Sequence, residues 1–486
     1  MKKWFKCGAG LTALVAISST ILPLSALAAQ NATIDKSAKA ETYFQGIGTN
    51  ISNATIIANW PTDKLAKVQA RIDAMDLPLV RFWSPSDAHK SDVNNLNSAD
   101  DWTKPQWTKV VSWANFLESV NTKILLTPGD KNTFTTPSAK PAYSTPEWSL
   151  ELVKQLDRLT YTEGLSNIAS VDVANEPSDA TAWHSGITNL KNALSANTHG
   201  LSTLPIDGPG YYNNTALMND NYWDSKVSTW SHHLYFGLDT WNYETGGLEG
   251  QLRSVNNWLR GKTPIQSLYL TEFGDGRAKA AIPGDSNSNA DSQLNIRKHK
   301  YGLEVADMSI QAMNGGVKYL STWMLDESGR YDSSKTGSVK RWGLWEPYEL
   351  DANMTLRPWF YVHYLLSKYV WANSTVYDVA SSDPGVRITA VNKNGTNQWS
   401  ILILNKTNTV KDINVTITGG GTGNFTRYKY HNNATDVQNN EDYSQYIQDS
   451  NGYPSPIATH TGVNMSTGLS IGYSPYSFTV LTGTIQ

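Results

Sequence analysis

Cysteine is all but missing from this chain. Its 486 residues hold one, Cys7, which precedes an apolar run near the start. Disulfide scaffolds, thiolate metal sites and thiol nucleophiles are therefore excluded for everything downstream. Positive charge is also in short supply, with 40 Lys and Arg against 43 Asp and Glu. That balance argues against nucleic acid and anionic membrane surfaces as partners. Beyond residue 28 no stretch is long and apolar enough to cross a bilayer. No His-Glu-x-x-His occurs and no Gly-rich phosphate loop follows an early strand. Neither a catalytic metal nor a cofactor is expected.

The first residues have a different character. Lys2, Lys3 and Lys6 lead into an apolar run from Gly8 to Leu24, followed by Ala26-Leu27-Ala28. A basic start, an apolar middle and a small-x-small end describe a secretory signal peptide over 1–28, cut after Ala28. The competing reading is a membrane anchor. It is weakened by the shortness of the run and by Ser18, Ser19, Thr20 and Pro23 within it. Cleavage removes three lysines and no acid, so the formal net charge moves from −3 to −6. A secreted, extracellular monomer is the expectation. Aromatics are plentiful, with 18 Trp and 24 Tyr. Core packing accounts for most of them, and stacking on sugar rings is the functional alternative. Asn-x-Ser/Thr triplets at Asn31, Asn53, Asn353, Asn405, Asn414 and Asn424 read as an Asn/Thr-rich surface rather than as glycan sites.

From Tyr43 to about residue 370 short β-rich runs alternate with helix-period segments. Strands are expected near Gly46–Gly48 and at Pro78–Trp83, Lys123–Thr127, Ser170–Ala174, Leu204–Gly208, Thr229–Tyr235, Leu268–Thr271 and Gly316–Met324. Helices are expected at Asp63–Met75, Trp107–Val120, Glu147–Glu163 and Glu249–Arg260, and one ends at Ser309–Asn314. Eight strands separated by helices describe an α/β (β/α)8 TIM barrel over 43–370. An open doubly wound sheet is the alternative, weakened by the missing phosphate loop. From 371 to 486 only short strands and Asn/Gly/Thr turns follow, which is the pattern of an all-β sandwich. The segment 29–42, through Ala32–Ile34, is expected to add a strand to it.

Two apolar strands end in carboxylates. One runs Val171-Asp172-Val173-Ala174-Asn175-Glu176-Pro177, the other Ser267-Leu268-Tyr269-Leu270-Thr271-Glu272-Phe273-Gly274. Catalytic side chains of a barrel sit where strands end. A pair of carboxylates so delivered suits glycosidic-bond hydrolysis, one donating a proton and the other attacking or stabilising the anomeric carbon. Arg81, Asp130, His233, Tyr235 and Trp323 also fall at strand ends.

Asn175-Glu176-Pro177 together with Thr271-Glu272-Phe273-Gly274 resembles the clan A glycoside hydrolases, which carry catalytic glutamates after strands four and seven. His233-Leu234-Tyr235 resembles the clan's aromatic segment after strand six, Trp323 its sugar-platform Trp, and Arg81 its Arg after strand two. Leu356–Tyr369 and Tyr473–Leu481 resemble members with an appended sandwich, as in families 30 and 39, whereas Thr-Glu-Phe-Gly is closer to family 5. The resemblance implies a retaining enzyme acting on β-linked xylan, glucan or galactan. Glu176 would be the acid/base and Glu272 the nucleophile. Asn175 would meet the sugar 2-hydroxyl, and Tyr235 or His233 would hydrogen-bond Glu272.

Competing readings stand beside these. Asn-Glu-Pro is often a turn that opens a helix, with Glu in its first turn. Arg81 could be only a structural salt-bridge partner. Adjacent strand residues such as His232 and His233 face opposite ways and do not chelate one ion together. Asp326 and Glu327 could touch substrate or only cap a loop, and Trp83 and Trp345 suit core packing better than stacking. At the level of function, a catalytically silent carbohydrate-binding barrel, a structural wall-associated protein and a transglycosylase using the same glutamates remain open.

Overall fold

The computed structural model describes residues 29–486 other than 53–59, 85–87, 93–94, 129–141, 212–219, 237–246, 276–278, 287, 289, 327–339, 382 and 442–445. The proposed signal peptide, Asp130 and Glu327 lie outside the described residues. No described helix is long and apolar enough to cross a membrane.

Strands β1 (Gln30–Ile34) and β2 (Lys39–Phe44) precede the barrel. The barrel strands are β3 (Ile47–Ile51), β4 (Leu79–Ser84), β5 (Lys123–Pro128), β6 (Ile168–Asp172), β7 (Ile206–Tyr211), β8 (Thr229–Phe236), β9 (Leu268–Asp275) and β10 (Tyr319–Thr322). All eight pairings are parallel, and β10 closes onto β3 through Leu320↔Ile47. A parallel strand covered by helices is buried on both faces, so it reads as a near-continuous apolar run. Ile124-Leu125-Leu126 on β5 is such a run, fully buried.

The outer helices are α1 (Thr62–Met75), α2 (Pro105–Ser119), α3 (Pro146–Asp157), α4 (Ala180–Ala196), α5 (Leu248–Arg260), α6 (His299–Asn314) and α7 (Pro358–Tyr369). Val68, Ile72 and Met75 give α1 its buried stripe. Thr145 caps α3, its hydroxyl accepting from the Trp148 backbone N–H, with Pro146 in the first helical turn. The expected helix to Glu163 is α-helical only to Asp157, continues as one wider turn over Arg158–Thr162, and the chain leaves at Gly164 with φ +77°.

The remaining strands are β11 (Ser374–Val379), β12 (Val386–Lys393), β13 (Gln398–Asn405), β14 (Lys411–Ile417), β15 (Thr422–Tyr430), β16 (Ala458–Asn464), β17 (Leu469–Tyr473) and β18 (Ser477–Ile485). They form a seven-stranded sheet, β16-β15-β18-β13-β12-β11-β2, and a three-stranded sheet, β1-β14-β17. The alternation along β13 explains how the larger sheet is shared. Ile401 and Ile403 pack with Ile413, Val415 and Ile417 in the sandwich core, while Leu402 and Leu404 join the barrel's apolar cluster. Polar contacts reinforce that seam: Arg387 pairs with Asp307 of α6, and the Asn314 amide donates to the Ile388 carbonyl at 3.1 Å. Asn405 corrects the surface reading of the Asn-x-Thr triplets. It is fully buried and donates to the carbonyls of Thr409, Tyr473 and Ser474.

Candidate active site

Arg81 is the centre of the arrangement at the carboxyl ends of the barrel strands. It points inward from β4 and is completely buried. Its Nε donates to Asp172 Oδ2 at 3.1 Å, NH1 to Glu272 Oε1 at 2.6 Å and to Asn50 Oδ1 at 3.3 Å, and NH2 to Asn175 Oδ1 at 3.0 Å. Burial alone would pull the guanidinium down, but the carboxylates of Asp172 and Glu272 outweigh it and hold it above its usual range. Arg81 is indeed a salt-bridge partner, and its partner is the proposed nucleophile.

Glu272 lies on β9 with its side chain 5% exposed. Its other oxygen, Oε2, accepts from the Tyr235 hydroxyl at 2.5 Å. Arg81 and Tyr235 thus hold one oxygen of the carboxyl group each. The Tyr235 phenol is driven well above its ordinary range by burial and by the Glu272 charge, so it stays protonated as a donor. Its ring meets Trp342 edge-on, with centroids 5.5 Å apart, and Lys279 sits over both rings.

Glu176 is more open, with its side chain 38% exposed. It does not belong to a helix. The α4 helix starts at Ala180 under an Asp179 cap, and Glu176 precedes it in a turn with φ +42°. The helix-opening reading of Asn-Glu-Pro therefore fails. His233 Nδ1 stands 2.8 Å from Glu176 Oε1 and 3.5 Å from Glu272 Oε2. This refines the expectation for strand six, because Tyr235 is the hydrogen-bond donor to Glu272 while His233 makes its bond to Glu176. Gly210 on β7, at φ +58°, packs under the imidazole. A Cβ there would come within 3.2 Å of His233 Nε2.

Trp323 follows β10 and packs edge-on against Trp83, with centroids 5.7 Å apart. Trp83 also lies on the Arg81 guanidinium at 5.0 Å and donates its indole N–H to Asn50 Oδ1 at 3.3 Å. It thus supports the pocket wall instead of sitting in the core. Trp345 is fully buried, and its indole N–H donates to Asp326.

Sequence reasoning named Arg81, Asn175, Glu176, His233, Tyr235 and Glu272, and the fold gathers all six. It passed over Asn50, Thr127, Asp172, Gly210 and Trp342. Asp172 carried a signal, being a charge between two valines in a strand read as apolar. Asn50 carried only its position at a strand end.

Nearest donor atoms of Glu176, His233 and Glu272 lie within 4.8 Å of one another, a spacing that also suits a metal ion. The fixed charge of Arg81 on Glu272 opposes a second cation there. A second such group, His89, Asp100 and Glu151, is already neutralised, with Lys90 Nζ 2.6 Å from Asp100 and 2.7 Å from Glu151.

No protein-family model matches the chain, and no curated protein does. Solved structures do. The family 30 subfamily 8 xylanase of Clostridium acetobutylicum is similar at TM-score 0.59 and 14% identity, over 93% of this chain and 99% of that one. The catalytic domain of xylanase C from Talaromyces cellulolyticus aligns at TM-score 0.62 and 13% identity, over 94% and 100%. An α-L-arabinofuranosidase from Thermotoga maritima aligns at 0.61 and 10%, over 94% and 100%. The fold, a closed parallel barrel followed by a sandwich, is similar to that of these glycoside hydrolases over nearly the whole chain.

Proposed function

We propose that the protein is a secreted retaining glycoside hydrolase that cleaves a β-linked extracellular polysaccharide or oligosaccharide of the xylan, glucan or galactan type. The observation that carries this reading is the carboxylate pair bridged by one imidazole, with nearest oxygens inside 4.8 Å. Retaining enzymes keep their two carboxyl groups about 5–5.5 Å apart, whereas inverting ones leave about 6.5–9.5 Å for a water.

The two carboxylates differ in the way double displacement needs. Glu272 is nearly enclosed and bonded by Arg81 and Tyr235, which suits an ionised nucleophile. It attacks the anomeric carbon while the glycosidic oxygen leaves. Glu176 stands nearer solvent and gives that oxygen its proton. Once Glu272 is esterified its charge is gone, so Glu176 is free to act as base and draw a proton from the water that cleaves the glycosyl-enzyme. Asn175, fixed by Arg81, reaches the 2-hydroxyl, and Trp323 offers a sugar platform beside Trp83. The neighbouring folds named as xylanases and an arabinofuranosidase support glycoside chemistry. Secretion rests on residues 1–28.

The test is to incubate the mature protein with xylan, β-glucans and β-galactans and follow the anomeric configuration of the products. Retention is expected, together with an activated fluoro-sugar adduct on Glu272. Inversion, or turnover by Glu272→Ala at the wild-type rate, refutes the assignment. Glu176→Ala should slow poor leaving groups far more than activated aryl glycosides.

A further inference from the structure

Resting on that reading, we infer that Asp172, buried at the end of β6, is a positioning residue that aims Arg81 at the nucleophile and at Asn175.

A guanidinium is planar and presents its donors in a fixed fork. Holding its Nε edge therefore sets where NH1 and NH2 point. Asp172 holds that edge at 3.1 Å, and the opposite side of the fork meets Glu272 at 2.6 Å and Asn175 at 3.0 Å. Asp172 is itself anchored, since its Oδ2 accepts the Thr127 hydroxyl of β5 at 2.8 Å. It is only 2% exposed, as the last residue of β6, and its side chain is turned to Arg81 and Thr127. Its route to the reaction is through Arg81.

Charge points the same way. The groups facing Asp172 are Arg81 from β4, Thr127 from β5 and the Asp207 carboxyl from β7. Asp207 is pushed up by burial and by the neighbouring Asp172 carboxyl. Arg81 divides one positive charge between two buried carboxylates. Without the Asp172 carboxylate the whole of it would fall on Glu272, and the nucleophile would attack less readily.

The variants are Asp172→Asn, which keeps shape and one acceptor oxygen, and Thr127→Val, which only loosens the anchor. Turnover of aryl β-xylobioside and β-cellobioside is measured per active site titrated with an activated fluoro-sugar, so unfolded molecules do not count. Asp172→Asn is expected to lower kcat per titrated site at least about tenfold, with KM changed much less. Thr127→Val should lower kcat per site several-fold, again with little change in KM. If both variants match wild type per titrated site, Asp172 is merely structural and the inference is overturned. If wild type itself neither turns over these substrates nor takes the covalent label, the proposed function fails and this inference falls with it.

Discussion

Replacing Tyr235 by Phe removes one oxygen and little else. The ring keeps its edge contact with Trp342 and its place under Lys279, so the fold is expected to survive. What goes is a hydroxyl donating to Glu272 Oε2 at 2.5 Å. A hydrogen bond to a charged group contributes about 1.5–3 kcal/mol. At about 1.36 kcal/mol per factor of ten in rate, that is worth roughly a ten- to hundredfold loss. Arg81 stays on Oε1 at 2.6 Å and keeps Glu272 in place, so a fall of about tenfold in kcat/KM is expected. The assay is kcat/KM on an aryl β-glycoside, with the rate of fluoro-sugar labelling measured in parallel. Both should fall together. Wild-type values in both would refute the claim that Tyr235 supports the nucleophile.

Two further outcomes follow from the same geometry. Gly210→Ala puts a Cβ 3.2 Å from His233 Nε2 at a residue with φ +58°. It should cost about 1–2 kcal/mol in thermal or urea unfolding from backbone strain. By shifting the imidazole that bridges both glutamates, it should also lower kcat per titrated site at least about tenfold. An unchanged rate per site would show that His233 placement is not critical. Asp207 is fully buried and its carboxyl is pushed up to about 7, first by burial and then by Asp172. The folded state then binds a proton that the unfolded state has released, so this group's stabilisation is present at acid pH and is lost as pH rises from about 4 to 7. Asp207→Asn should flatten that fall in a series of melting temperatures. A slope as steep as in wild type would show that Asp207 is not its source.

The local rules were enough for much of the molecule. Periodicity and strand composition gave all eight barrel strands, because a parallel barrel buries its strands on both faces and leaves apolar runs in the chain. They missed helix α4. Its start follows a turn rich in Pro, Ser and Asp, and its capping depends on the Asp179 side chain accepting from Ala182. They also missed how β13 serves two cores, since a strand buried on both faces shows no alternation to read. Glu176 and Glu272 were legible because a carboxylate at the end of an apolar strand has few structural uses.

Sequence by itself determined which residue types arrive at the ends of the strands, and in what order around the barrel. Tertiary structure alone decided how they divide the work. Barrel closure brings Arg81, Asp172, Asn175 and Glu272 into one hydrogen-bonded group from three strands. The turn after β6 swings Glu176 onto the same imidazole that lies beside Glu272. The physical reason is that hydrogen bonds and charge pairing act over a few ångströms of space, and residues so far apart along the chain meet at that range only after the sheet has closed.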